Sequence, residues 1–108
     1  MKIQPITEET YEQLRDIQEQ HPELTLQNEG YEYLDKREFS PETMDAYQTV
    51  SDILREHIDG FRKFHNFKLS RNGEVRLRFD YKWDSSFTGA GYLLLDELLN
   101  GFRKEIGK

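Results

Sequence analysis

Between Glu74 and Trp83 the side chains alternate without a break: Val75, Leu77, Phe79, Tyr81 and Trp83 are apolar, while Glu74, Arg76, Arg78, Asp80 and Lys82 are charged. A period of two marks a strand with one buried and one solvated face. A strand of this kind needs a neighbour, and the nearest candidate is Phe67-Lys68-Leu69 across Asn72-Gly73. Register selects the turn. A two-residue loop at Asn72-Gly73 sets Phe67 and Leu69 opposite Arg78 and Arg76, on the wrong face. A three-residue loop, Arg71-Asn72-Gly73, pairs Leu69 with Val75 and Phe67 with Leu77, with Gly73 left-handed in a G1 bulge.

Helical signals flank this hairpin. Thr7 reads as an N-cap, Glu8 and Glu9 suit the positive end of a helix dipole, and Ile6 with Tyr11 forms a hydrophobic staple. The expected helix covers residues 8–20, with Tyr11, Leu14 and Ile17 buried and Pro22 ending the pattern. Ser40-Pro41-Glu42 is a second start, for a helix over 41–59 stopped by Gly60. Its stripe is Tyr47, Val50, Leu54 and Ile58, with Phe61 continuing the spacing. A third helix is expected over 90–100, burying Leu94, Leu95, Leu98 and Leu99, with Gly89 and Gly91 giving room at its start and Phe102 and Ile106 in line to extend it. Between the first two helices, Asn28-Glu29-Gly30 suggests a short hairpin within residues 24–39.

The expected fold class is α+β, an antiparallel sheet centred on the 67–83 hairpin with helices packed on one face and water on the other. A chain of 108 residues has room for one core, so residues 1–108 are expected to form a single domain. Leu, Ile, Val and Phe make up a quarter of the chain, enough to fill that core.

Cysteine is absent, which removes disulfide scaffolds, thiolate metal sites and thiol nucleophiles and favours a reducing compartment. Met1-Lys2-Ile3-Gln4-Pro5 lacks the apolar stretch of a signal peptide, and the longest apolar run is Tyr92-Leu93-Leu94-Leu95. A cytoplasmic protein with no membrane partner is expected. His21, His57 and His65 do not stand at ligand spacing, so no metal and no cofactor is expected. His57 is read as a packed imidazole and His65 as a strand-edge residue. Ser85, Ser86 and Thr88 lack a nucleophile-elbow turn, and Gly89-Ala90-Gly91 lacks the remainder of a phosphate loop. No set of nucleophile, base and oxyanion donors emerges, and the expectation is a protein that is not an enzyme.

Charge layout carries the functional argument. Residues 1–60 hold 15 acidic and 5 basic side chains, whereas residues 61–108 hold 6 acidic and 10 basic, within a net charge of −6. On the first helix Glu8, Glu12, Asp16 and Glu19 fall within an arc of about 80°; on the second Asp45, Asp52, Glu56 and Asp59 fall within about 60°. Arg15 and Arg55 lie outside these arcs, leaving two uncompensated acidic faces suited to a basic protein partner. The competing surface is the outer face of the hairpin, where Lys68, Arg76, Arg78 and Lys82, with Asn66 beside Arg78, form a basic ribbon that could meet phosphates. Its strand aromatics point the other way, leaving bases no stacking platform.

The stretch Phe64-His65-Asn66-Phe67-Lys68-Leu69-Ser70-Arg71-Asn72-Gly73-Glu74-Val75-Arg76-Leu77-Arg78-Phe79-Asp80-Tyr81 resembles the hairpin of YezG-like bacterial immunity proteins. Those small acidic proteins neutralise a toxin, commonly a nuclease, made by the same cell. The resemblance implies an immunity or antitoxin-type inhibitor, and it assigns no binding residue. The expected function is thus a non-enzymatic acidic protein-binding module. The alternatives are an RNA- or DNA-binding accessory protein using the basic hairpin face, or a mobile-element-encoded inhibitor of a host or defence protein.

Overall fold

Two side-chain caps start the long helices where the sequence places them. In the computed structural model, which describes residues 3–26, 36–82 and 88–100, Thr7 Oγ1 accepts the Thr10 amide at 3.1 Å and α1 runs Glu8–Gln20. Ile6 is buried beneath it and Tyr11 half-buried, the arrangement of a staple. Ser40 Oγ accepts the Thr43 amide at 3.1 Å, Pro41 takes the first helical position, and α2 runs Pro41–His57.

The end of α2 departs from expectation. The helix stops at His57 rather than Asp59, because Ile58 turns extended and bridges to Ile3, an arrangement backed by the Gln4 amide donating to the His57 carbonyl at 2.7 Å. Gly60, at φ 79°, then reverses the chain. Phe61 therefore opens a strand instead of extending the helical stripe.

That strand, β2 (Phe61–Leu69), is longer than the sequence suggests. It lies between β1 (Thr25–Leu26), paired parallel, and β3 (Val75–Lys82), paired antiparallel; β4 (Thr88–Leu94) completes the order β1-β2-β3-β4. The sheet is thus mixed, antiparallel apart from one short parallel pair. At the hairpin, Leu69 pairs with Val75, Phe67 with Leu77 and Asn66 with Arg78, the register expected of the three-residue loop. Gly73 has φ 85°, and Ser70 closes the turn by donating its amide to Glu74 O at 3.0 Å.

Beyond Asn66 the register shifts twice, with Phe64 opposite Phe79, Lys63 opposite Asp80 and Phe61 opposite Tyr81. The register passes over His65 and Arg62, each the extra residue of a bulge. In a regular strand Phe64 would face away from Phe61 and Phe67; with two extra residues all three reach the same face, and all are buried. The Tyr47 hydroxyl donates to the Phe64 carbonyl beside the bulge at His65.

One contiguous core results. Leu14 of α1, Ala46, Tyr47, Val50 and Leu54 of α2, and Leu95 and Leu98 of α3 (Leu95–Asn100) cover Phe61, Phe64, Phe67, Leu77, Phe79 and Leu93 of the sheet. The expected helix over 90–100 is thereby divided: its first half is β4, and its helix begins at Leu95. Gly91 belongs to the sheet because a Cβ there would lie 2.9 Å from the Phe79 ring and 3.1 Å from that of Tyr81. Of the expected apolar face, Leu95 and Leu98 are buried and Leu94 and Leu99 half-buried. Of the expected hairpin over 24–39, Thr25–Leu26 forms a strand, paired with β2; Asn28-Glu29-Gly30 and Tyr31-Glu32-Tyr33-Leu34, like Trp83, Phe102 and Ile106, lie outside the described residues.

The sheet face opposite the helices is not uniformly open. The cross-strand pair Asn66 and Arg78 is 1% and 5% exposed. The pair sits on the two central strands, and the Asn66 side-chain amide has no hydrogen-bond partner.

Gly60 is under two constraints and Gly73 under one. A Cβ at Gly60 would stand 2.4 Å from the Lys82 carbonyl oxygen, whereas at Gly73 it would meet nothing within 4 Å. Gly73→Ala should cost only the left-handed conformation, about 1–2 kcal/mol. Gly60→Ala must also push back the β3 backbone and should cost about 3 kcal/mol or more. Urea denaturation of the two variants against wild type measures the difference, and equal losses would contradict the close approach of Gly60 to β3.

Candidate functional site

α1 and α2 flank an open groove of about 890 Å³ with Ile17 and Ala46 along its base. Glu9, Glu12 and Asp16 line it from α1, at helical spacings that put them on one side; Glu42 and Asp45 line it from α2. Neither lysine nor arginine is among the lining residues. Five carboxylates on two facing walls produce a negative field that a concave surface focuses, attracting cationic groups and raising their association rate.

The end of the groove is tied by a short 3-10 turn, Pro22–Leu24, between the two helices. Leu24 is fully buried beneath it. The hydroxyl of Thr43, a residue 4% exposed, donates to Glu23 Oε1 at 2.6 Å, and His21 Nδ1 lies 3.1 Å from the same oxygen. The Thr43 hydroxyl bond, followed by the backbone amide of Glu23 itself, holds the Glu23 carboxyl below the usual glutamate value. Thus the turn after α1 is clasped to the first turn of α2.

The acidic residues singled out from the sequence divide into two sets. Glu12, Asp16 and Asp45 meet in the groove, joined by Glu9 and Glu42. Glu8, Glu19, Asp52, Glu56 and Asp59 are exposed but do not line it. The expectation of uncompensated faces is corrected in two places: Arg15 reaches Glu19 at 3.6 Å, and Arg55 reaches Asp52 at 3.2 Å, with Gln48 Nε2 also 2.8 Å from Asp52. A wheel projection misses such pairs because a long arginine side chain spans the angle between neighbouring rows. Both pairs are solvent-exposed and so contribute little to stability, about 0–1 kcal/mol each, but they lower the negative potential outside the groove. On the basic ribbon, Arg76 and Lys82 are exposed, Lys68 is half-buried and Arg78 is buried.

The remaining polar sites have structural partners. The Tyr11 hydroxyl donates to Asp96 at 2.5 Å, joining α1 to α3; that bond, with burial, raises the phenol above its ordinary pKa. A cavity of about 180 Å³ beside it is lined by both signs of charge, Arg15 with Glu74 and Asp96. His57 Nδ1 bonds the Gln4 carbonyl at 2.8 Å, as suits a packed imidazole. His65 is not a strand-edge residue: it sits in the bulge of a central strand, with Nε2 3.0 Å from Asp80. Among the described residues no three His, Asp or Glu side chains are grouped to hold a metal ion. Ser85 and Ser86 lie outside the described residues, and Thr88 begins β4.

Glu9 and Glu42 were legible only as acids in the first turns of their helices. The position of one helix beside the other gives them a second role, and no local pattern reports it. No protein-family model, curated protein sequence or solved structure matches the chain.

The clasp predicts a titration. Because the folded carboxyl of Glu23 is depressed, its bond to Thr43 contributes stability above the unfolded pKa, and that contribution is lost as pH falls through the lower folded value. Carbon-detected NMR titration should place the Glu23 midpoint below the ordinary glutamate value, and Thr43→Val should move it upward. An unmoved midpoint in the variant would rule out the hydroxyl as the main cause.

Proposed function

We propose that this chain is a non-enzymatic acidic protein-binding module whose α1–α2 groove receives the basic surface of another protein, in the manner of an immunity or antitoxin-type inhibitor of a nuclease. The observation that carries the reading is the convergence of Glu9, Glu12, Asp16, Glu42 and Asp45 on one groove without a lining lysine or arginine. A nuclease must itself present positive charge to bind the phosphate backbone, so an acidic concavity can compete for that surface. The resemblance of residues 64–81 to YezG-like immunity proteins agrees with this role, as does a cytoplasmic site of action, where a self-made nuclease would have to be neutralised. Among the described residues no helix is long and apolar enough to cross a membrane.

The groove is favoured over the basic hairpin as the binding surface because two of the hairpin's four cations are withdrawn from solvent to different degrees. Phosphate contacts require extended, accessible side chains, and Arg78 is 5% exposed.

Reversal of charge within and outside the groove tests the assignment. The variant Glu12→Lys, Asp16→Lys, Asp45→Lys should keep its circular dichroism, since all three sites are exposed. Its association with basic proteins captured from host lysate, measured by surface plasmon resonance, should slow by about tenfold or more at low salt. The variant Glu8→Lys, Glu56→Lys, Asp59→Lys carries the same charge change away from the groove and should retain most of the wild-type rate. Equal loss in both would reduce the effect to net charge, and no loss in either would remove the groove from the interface.

A further inference from the structure

β4 is an edge strand whose outward backbone groups can be identified. The Lys82 amide donates to Gly60 O at 2.7 Å, toward the β2 side of β3. Backbone direction alternates along a strand, so the amides of Arg76, Arg78 and Asp80 also face β2, and those of Leu77, Phe79 and Tyr81 face β4. The β3–β4 register is regular, pairing Leu77 with Leu93, Phe79 with Gly91 and Tyr81 with Gly89. These three pairs carry the ladder. The N–H and C=O groups of Thr88, Ala90 and Tyr92 and the N–H of Leu94 consequently point to the outer edge, with which no strand pairs among the described residues, while the Leu94 carbonyl opens the bonding of α3.

Edges of this kind are normally protected by a lysine, a proline, a bulge or an inward charge. β4 has none of these. From Ser85 to Leu95 the chain carries no charged residue, although charged residues make up 33% of it, and no other uncharged stretch is as long. Pairing with a second copy sets a strand against its own sequence, where charged residues would oppose like charges; β4, without any, meets its own copy with no such repulsion.

We propose that the outer edge of β4 pairs antiparallel with β4 of a second copy of this chain, about a two-fold axis at Gly91. This register sets Ala90 against the partner's Tyr92, where every outward group meets an outward group, and Thr88 against the partner's Leu94, whose outward N–H meets the Thr88 carbonyl. Residues directly opposite share a face, so the helices of both copies lie on one side of a single continuous sheet. The interface is isologous and closes, so it yields a dimer rather than a filament.

Two measurements decide it. Sedimentation equilibrium of the wild type over a range of concentrations should show reversible dimerisation. Ala90→Pro removes an outward amide that the β3 ladder does not use; each copy loses an interchain bond, and the dissociation constant should rise by about tenfold or more. Should that variant fail to fold, amide exchange of the wild type is sufficient: Ala90 and Tyr92 should become protected as concentration rises, with Gly91 and Leu93 protected throughout. Protection of Ala90 and Tyr92 that persists in dilute monomer would mean that the same chain covers the edge. Free exchange at every concentration would leave the edge to a different protein or to solvent. Either result, or a dimer that a folded Ala90→Pro leaves unchanged, overturns the proposal.

Discussion

The phenylalanines of β2 recur every third residue, at 61, 64 and 67, and a regular strand cannot place three such residues on one face. The chain resolves the mismatch by inserting one extra residue after Phe61 and another after Phe64, so that each interval of three counts as two strand positions. Burial of three aromatic rings, each of the order of 2–3 kcal/mol by transfer, outweighs the ladder bonds that two bulges forgo. The rings then form an edge-to-face and tilted cluster: Phe64 lies 5.3 Å from Phe67 and 5.5 Å from Tyr47, and Phe61 lies 6.1 Å from Phe79. Tyr47 links this cluster to α2 through both its ring and its hydroxyl bond to the bulged backbone. The position of α2, and hence one wall of the acidic groove, depends on where those bulges fall.

The same arrangement separates the charge of the two halves of the chain. α1 and α2 present their carboxylates from the helical layer, while Arg76 and Lys82 are exposed on β3, so the electrical asymmetry of the sequence becomes an asymmetry between layers. Within the helical layer the negative charge is uneven. Arg15 and Arg55 temper it outside the groove, and no cation does so among the residues lining the groove. Like charges facing one another destabilise a fold modestly when solvated, and the Glu23 clasp to Thr43 holds the two helices in that relation. Such an arrangement suits the binding of an oppositely charged surface better than it suits stability.

Legibility followed the range of the interactions. α1 could be read to its end residues because cap, staple and apolar stripe all lie within its own sequence. The hairpin register could be read because only one loop length brings Phe67 and Leu69 to the face of Val75 and Leu77. The first half of β2 could not: a spacing of three resembles a helical stripe, and the bulges that make it strand-like are specified by rings on β3 and α2. β4 was hidden for a similar reason, since Tyr92-Leu93-Leu94-Leu95 has no clear period and Gly91 is explained only by the Phe79 and Tyr81 rings above it. At the site, Glu12, Asp16 and Asp45 were visible as outward acids, but the groove uniting them with Glu9 and Glu42 required the packing of two helices separated by 20 residues of chain, from 21 to 40.

Whether the two bulges set the position of α2 is decided by the register of β2 against β3, which cross-strand nuclear Overhauser effects measure residue by residue. With both bulges in place, contacts run from Asn66 to Arg78, Phe64 to Phe79, Lys63 to Asp80 and Phe61 to Tyr81, the pairing advancing by one residue at each bulge. A constant register continued from the turn, with Phe64 opposite Asp80 and Phe61 opposite Trp83, would contradict it. Phe64 would then face away from α2, and the cluster that positions the groove would not exist.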